Sequence, residues 1–303
     1  MDKLAAWAGN SYICDRVRRA SDGALFIVPD AMQIKVTTWN INSVRLRIDL
    51  VAKFIKAVRP DVLCLQETKC PDDKFPLRRF KRLGYEHVAL NGQKGYHGVV
   101  VLSRLPFESH AIELFCGKTD CRHIGITLGE RAGLRDPLTL HNFYVPAGGD
   151  IPDPEVNPKF AHKLSFLDEM RAHAKLKPAA RERAILVGDL NVAPLEHDVW
   201  SHRQMLRVVS HTPVECEKLT GVCTAGGWVD AMRTLTPEPE KLYTWWSYRA
   251  ADWAAADRGR RLDHIWVSPE LGDRVSSILI AKEARGWQRP SDHVPVTAMI
   301  EAP

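Results

Sequence analysis

Five short apolar runs in this chain stop or start on residues that handle protons or metal ions, and this constrains the fold more than any other feature of the sequence. Gln33 to Trp39 is rich in β-favouring residues and ends at Asn40; Asp61-Val62-Leu63-Cys64-Leu65 delivers Gln66 and Glu67; Ala184-Ile185-Leu186-Val187 runs into Gly188-Asp189-Leu190-Asn191. Two more runs begin on such residues, Leu262-Asp263-His264-Ile265-Trp266-Val267 and Asp292-His293-Val294-Pro295-Val296. If the second group runs antiparallel to the first, the ends of one set and the starts of the other share one rim. Strand interiors have no use for these polar groups. Gathered at the tips, they line a cleft in which a carboxylate cage can hold a hard cation through oxygen.

The segments between these runs fit a layered α/β chain. Ser43 is placed to cap a helix whose apolar residues fall at Val44, Ile48, Val51, Ile55 and Val58, and Arg59-Pro60 stops it. Gly98 to Ser103 and Leu138 to Tyr144 read as further strands, the second leading into a Pro/Gly-rich loop from Pro146 to Pro158. A helix follows, with Phe160, Leu164, Leu167 and Ala174 expected on one face. Strands outnumber helices, and their alternation in both halves allows two similar layers to pack face to face.

Composition excludes several classes. With 303 residues, 45% of them hydrophobic and 26% charged, the chain has the balance of an ordinary globular protein, and no Gly/Ser-rich or charge-block linker divides it. A single domain is expected over residues 32–303. Residues 1–31, which lack clear periodicity, are expected to form an N-terminal extension. No stretch approaches the roughly 18 apolar residues of a membrane span, and no secretory core opens the chain, so no membrane partner is expected. The seven cysteines are odd in number and contain no C-x-x-C pair, which suggests neither a disulfide framework nor a zinc ribbon and fits a reducing cytoplasm. A net charge of +5 permits a polyanionic partner without demanding one. No repeated apolar surface stripe calls for an oligomer, so a monomer is expected.

Each polar motif is weak in isolation. Asp189 and Asn191 are two apart, so an extended segment would project both to one face where they could hold a water, yet turns after strands are rich in the same residues. His293, flanked by Pro290 and Pro295, has an ordinary surface loop as its competing reading. Asn, Glu, Tyr, Asp-x-Asn, Asp and Asp-His falling together at strand boundaries is what chance accounts for poorly.

Trp39-Asn40-Ile41-Asn42-Ser43-Val44-Arg45, Leu65-Gln66-Glu67-Thr68-Lys69, Gly188-Asp189-Leu190-Asn191-Val192-Ala193-Pro194, Arg261-Leu262-Asp263 and Ser291-Asp292-His293 resemble the exonuclease III family of apurinic/apyrimidinic endonucleases, within the endonuclease/exonuclease/phosphatase superfamily. Gln93-Lys94-Gly95-Tyr96-His97-Gly98 and Tyr243-Thr244-Trp245-Trp246-Ser247-Tyr248-Arg249 are similar to that family as well, and the likeness covers residues 32–301. It implies a mixed α/β, four-layer α-β-β-α sandwich of the DNase I-like type. It also implies a repair nuclease acting on double-stranded DNA at abasic sites and 3′ ends, with apurinic/apyrimidinic endonuclease, 3′-to-5′ exonuclease and 3′-end-cleaning activities.

Carried over position by position, the resemblance gives Mg²⁺, with Mn²⁺ as a substitute, to Asn40, Glu67 and Asp292, and makes Asp189, Asn191 and His293 ligands of any second position. Tyr144 would contact the phosphate, Asp189 would orient or deprotonate the attacking water, and Asn191 would fix that water. His293, held by Asp263, would donate to a phosphate oxygen. The residues alone leave the base open among Asp189, His293 and Tyr144. Asp189 ranks first, because a carboxylate beside a cation stays ionised at neutral pH whereas an unperturbed tyrosine, with a pKa of about 10, is rarely a phenolate.

Trp245, Trp246, Tyr248 and Trp253 cluster with Arg249, as an aromatic loop for bases or a base-free sugar would; two of the four are expected to be core packing. The resemblance puts Trp245 at a sugar pocket, and Lys69, Lys94 and Arg249 are candidates for backbone phosphates. Two departures bear on abasic-site preference: Arg260 stands where relatives often carry an apolar or aromatic residue, and Ala147 where some carry an amide. The rival readings are a superfamily phosphatase or phosphodiesterase acting on a small substrate, and a DNA-binding homologue without catalysis.

Overall fold

The computed structural model describes residues 17–19, 25–27, 32–179 and 181–302. Two six-stranded sheets form its centre. The first runs Val275–Ile280, Val296–Ala302, Met32–Asn40, Val62–Gln66, Val99–Ser103, His87–Asn91 from edge to edge; the second runs Val229–Asp230, Asp263–Val267, Arg183–Asp189, Leu138–Tyr144, His123–Leu128, Phe107–Ala111. Period-2 alternation sends Ile34, Val36, Val62, Cys64, Val99 and Val101 inward from the first sheet, against Ile124, Ile126, Leu138, Leu140, Ile185 and Val187 from the second. Each large apolar side chain sealed there contributes about 1.5–3 kcal/mol.

The outer faces are covered too, which makes four layers. Helix Val44–Val58 lays Val51, Phe54, Ile55 and Val58 on Trp39, Leu63, Leu65 and Val100. Helices Pro158–Ala172 and Pro213–Ala225 cover Phe143, Leu186 and Trp266 with Phe166, Leu167, Met170, Leu219 and Val222. The expected mixed α/β sandwich is therefore observed.

The register delivers the tips to one rim. Asp189 lies opposite Asp263 in an antiparallel pair and opposite Tyr144 in a parallel one, while Asn40 lies beside Gln66 in the other sheet.

Several local expectations are corrected. Ser43 sits at the helix start with a φ of 86° and makes no side-chain cap; the loop carbonyl of Thr68 accepts the Val44 N–H instead. The buried face of Pro158–Ala172 is Phe160, Lys163, Phe166, Leu167 and Met170, with Leu164 only half-buried and Ala174 exposed in the turn beyond the helix. Asp292 and His293 do not begin a strand. They occupy the loop before Val296–Ala302, held extended by the Trp246 N–H to the Asp292 carbonyl and the Val294 N–H to the Thr244 carbonyl, both 2.9 Å. Of the expected extension 1–31, an antiparallel pair Val17–Arg19/Leu25–Ile27 is seen, and the rest lies outside the described residues. Among the described residues, no helix is long and apolar enough to cross a membrane.

Candidate active site

Asn40, fully buried at its strand end, ties the two sheets together. Its amide donates to Glu67 Oε1 at 2.9 Å and Asp189 Oδ2 at 2.8 Å, and its Oδ1 accepts the Asn42 N–H at 3.0 Å. Glu67 also accepts from the Tyr144 hydroxyl at 2.9 Å and pairs with Lys69 Nζ at 2.8 Å. Burial opposes the Glu67 charge, but Lys69 and the Asn40 amide outweigh it and hold the carboxyl below its ordinary range. Tyr144 is pushed the other way, by burial and then by the Glu67 and Asp189 carboxylates, so its phenol keeps its proton.

Asp189 closes the second half. Its Oδ1 accepts the Asn191 N–H at 3.0 Å and its Oδ2 accepts the Asn191 amide at 3.1 Å. The two meet through a turn, not an extended segment: Asn191 has a φ of 55°, a left-handed conformation that asparagine tolerates better than most residues. His293 Nδ1 lies 2.8 Å from Asp263 Oδ2, and its Nε2 lies 3.6 Å from Asp189 Oδ2. Burial disfavours the imidazolium, but the Asp263 and Asp189 carboxylates more than offset this and raise the His293 pKa to about 10. Burial raises Asp189, and although the facing imidazolium pulls it down the net result is a pKa of about 7, so the buried Asp189–His293 pair is poised to exchange a proton near neutrality. Asp292 accepts from Trp245 Nε1 at 3.0 Å and from the Asn42 amide at 3.2 Å. The nearby His293 charge keeps it ionised against burial.

Ligand-capable atoms of Asp189, Asp263 and His293 lie within 4.8 Å of one another. Asp263 Oδ1 is buried and has no hydrogen-bond partner among the described residues. With Glu67 and Asp292 the set is dominated by hard carboxylate oxygens, a donor chemistry that fits a small divalent cation.

The expected DNA-contacting residues divide. Lys69 is drawn into the cluster, donating to Asn42 Oδ1 at 2.6 Å as well as pairing with Glu67. Lys94 and Arg249 are exposed and outside the cluster's hydrogen-bond network. Trp245 is half-buried beside Asp292, with the Arg260 guanidinium 4.8 Å over its ring. Trp246 is core, Trp253 packs edge-on against it at 5.4 Å, and Tyr248 stays exposed with its hydroxyl on the Pro290 carbonyl.

Sequence reasoning missed the buried amides behind the rim. Gln66 Nε2 donates to Asn142 Oδ1 at 2.7 Å, and the Asn142 amide donates to the Leu65 and Val100 carbonyls, stitching the sheets beneath Asn40. The available signal was Asn142 itself, a polar residue in the inward phase of Leu138–Tyr144.

Residues 37–293 match the endonuclease/exonuclease/phosphatase family. Exodeoxyribonuclease III of Haemophilus influenzae is 30% identical over 88% of this chain and 99% of its own. An AP endonuclease from Archaeoglobus fulgidus superposes with a TM-score of 0.80 at 30% identity, over 88% of this chain and 99% of that one. A 3′ phosphatase from Neisseria, solved with a product DNA hairpin, superposes at 0.78 with 29% identity and coverage of 88% and 99%. The chain belongs to the endonuclease/exonuclease/phosphatase family and, within it, to the exodeoxyribonuclease III group of hydrolytic nucleases.

Proposed function

We propose that this chain is a divalent-metal-dependent DNA repair nuclease, hydrolysing phosphodiester bonds of double-stranded DNA at abasic sites and 3′ ends. The observation that carries the reading is the convergence of Asp189, Asn191 and an Asp263-held His293 with the Asn40–Glu67–Tyr144 cluster across the two sheets.

In this reading Asp189 accepts the proton of the attacking water, and Asn191, bonded to Asp189 and to the Val145 carbonyl, holds that water in line. The His293 imidazolium donates to a phosphate oxygen as negative charge builds, with Asp263 fixing its orientation. The protonated Tyr144 hydroxyl, whose one proton goes to Glu67 in the free protein, turns to the same phosphate as a second donor when substrate binds. Glu67, Asn40 and Asp292 would hold Mg²⁺, or Mn²⁺ in its place, with Asp189, Asn191 and His293 available at a second position; the ion supplies charge neutralisation to phosphate and leaving oxygen. Trp245 faces the sugar, and Lys69, Lys94 and Arg249 take backbone phosphates. The protein acts as a cytoplasmic monomer.

Arg260 favours a refinement. It lies over Trp245, the residue this reading sets against the sugar, and is anchored there by the Val209 carbonyl and Ser210 Oγ, so in this reading 3′ ends outrank abasic sites.

End-labelled duplexes carrying an abasic analogue, a nick or a 3′-phosphate, incubated with Mg²⁺ and then with chelator, test the reading. Chelator-sensitive strand cleavage or end removal is expected. Intact strands beside hydrolysis of a small phosphomonoester would replace the nuclease with a small-molecule phosphatase, and tight duplex binding without cleavage would replace it with a non-catalytic DNA binder.

A further inference from the structure

The second sheet carries another histidine system, on its outer face. Alternation puts His123 and His141 opposite the inward-facing Ile124 and Leu140. Both are at least nine-tenths buried, and their rings border a cavity of about 470 Å³ lined also by Ser109, Thr127, Thr139, Lys177 and Glu182. Gly125 forms part of its floor; a Cβ there would lie 3.3 Å from His141 Nδ1.

The hydrogen bonds fix the proton positions. The Glu113 backbone N–H donates to His123 Nδ1 at 3.0 Å, so that nitrogen is a bare acceptor. Burial, reinforced by His141, keeps His123 neutral, and its one ring proton therefore sits on Nε2. That N–H faces His141 Nδ1 at 3.1 Å, which makes Nδ1 the acceptor and leaves the His141 proton on Nε2. No described residue accepts from His141 Nε2–H, and the atom is not sealed from solvent. This chain of donors also excludes a metal between the two rings, because one of the facing nitrogens carries a proton.

Around this N–H the unengaged groups are three hydroxyls, which can donate or accept, and one ammonium, which can only donate. The Ser109, Thr127 and Thr139 hydroxyls make no hydrogen bond, and Lys177 no ion pair, among the described residues. Of the nearby acids, Glu113 pairs with Lys175 at 2.5 Å and faces His173 at 3.7 Å, and Glu182, exposed at the cavity edge, accepts the Ala179 N–H on one oxygen at 3.0 Å. A cavity of this size with a free ring N–H, an unpaired ammonium and hydroxyls able to turn as donors suits an acceptor-rich ligand.

We propose that this groove binds a small organic oxyanion, a carboxylate or a phosphate monoester, oriented by His141 Nε2–H and the Thr139 hydroxyl with Lys177 as counter-charge. Long-range proton–nitrogen spectra of the full chain carrying isotope-labelled histidine test it, in separate titrations with inorganic phosphate, succinate and deoxyadenosine monophosphate, and with glycerol as a neutral control. The expected spectrum shows His141 protonated on Nε2, and its resonance moves at millimolar concentrations of an oxyanion but not of glycerol. A response to phosphate and nucleotide alone assigns the phosphate source, and a response to succinate alone assigns the carboxylate. Thr139→Val, which removes only a hydroxyl, is expected to weaken the response about tenfold while leaving nuclease activity unchanged. His141 protonated on Nδ1, no movement with any oxyanion, movement confined to His293, or an unaltered response in Thr139→Val would each overturn the proposal.

Discussion

Two buried histidine systems in one molecule have opposite electrostatic fates. At the rim, His293 lies between Asp263 and Asp189 and is held as an imidazolium, its pKa raised to about 10. On the outer face of the second sheet, His141 is just as buried; burial, then His173 and Lys175 against a single Glu113, takes its pKa down to about 4. Burial pushes both rings toward neutrality; the carboxylates around His293 overcome it, whereas the one acid near His141, Glu113, is offset by His173 and Lys175. The rim stores a proton beside the place where a phosphate would sit, whereas the outer face presents a neutral N–H.

The largest expected effect breaks the rim pair. Asp189→Asn leaves an amide that cannot accept the water's proton, and turnover is expected to fall roughly a hundredfold or more with DNA affinity nearly kept. Single-turnover cleavage of an abasic duplex checks this, and near-normal rates would remove Asp189 from the mechanism. Asp263→Asn is expected to cost less, about tenfold to a hundredfold, because His293 stays in place but loses its main stabilising charge. The sign is testable in the pH profile: with its pKa lowered, the imidazolium deprotonates earlier, so the alkaline limb of kcat moves to lower pH. An unmoved limb would mean that His293 does not act as the acid.

The five polar-tipped runs announced the rim because strand ends are where β periodicity stops dictating side-chain type, so a carboxylate there stands out. Asp189 opposite Asp263 realises the antiparallel convergence those runs imply, Asn40 beside Gln66 is the parallel alignment of two run ends, and Asp292 and His293 reach the same rim from a loop. Three features were illegible for physical reasons. The left-handed turn at Asn191 depends on the neighbouring Val145 carbonyl, which lies 46 residues away in sequence. Lys163 occupies an apolar helix face because it is fully buried against Glu215 and the Asn191 carbonyl, a pairing that periodicity reads as surface charge. The His123–His141 contact is a cross-strand diagonal whose meaning depends on the Glu113 N–H, and no spacing rule encodes it.

The outer-face system makes its own demand on stability. His141 has a folded pKa near 4 against about 6.5 unfolded, so below the unfolded value the unfolded chain binds a proton that the folded one refuses. Its contribution is present above about pH 6.5 and is lost as pH falls toward 4, about 2 kcal/mol between pH 8 and pH 5 from this residue alone. His123, shifted in the same direction, adds to the loss. Urea titrations across that window are expected to show stability falling with acidification, and His141→Gln to flatten the slope. An equally steep slope in that variant would place the acid sensitivity elsewhere.

Gly125→Ala sharpens the comparison at the smallest scale. The added methyl would lie 3.3 Å from His141 Nδ1 and 3.7 Å from His123 Cε1, tight enough that the rings must shift by a few tenths of an ångström. Glycine in a strand also weakens it, so the exchange offsets a strained contact with a stiffer backbone, and the net change is expected to stay within about 1 kcal/mol. The informative readout is therefore the His123–His141 hydrogen bond, not the melting temperature. If the variant keeps its stability while the His141 Nδ1 resonance moves, the contact between the rings is set by the room at Gly125. An unmoved resonance would mean that the strands on either side fix the pair without it.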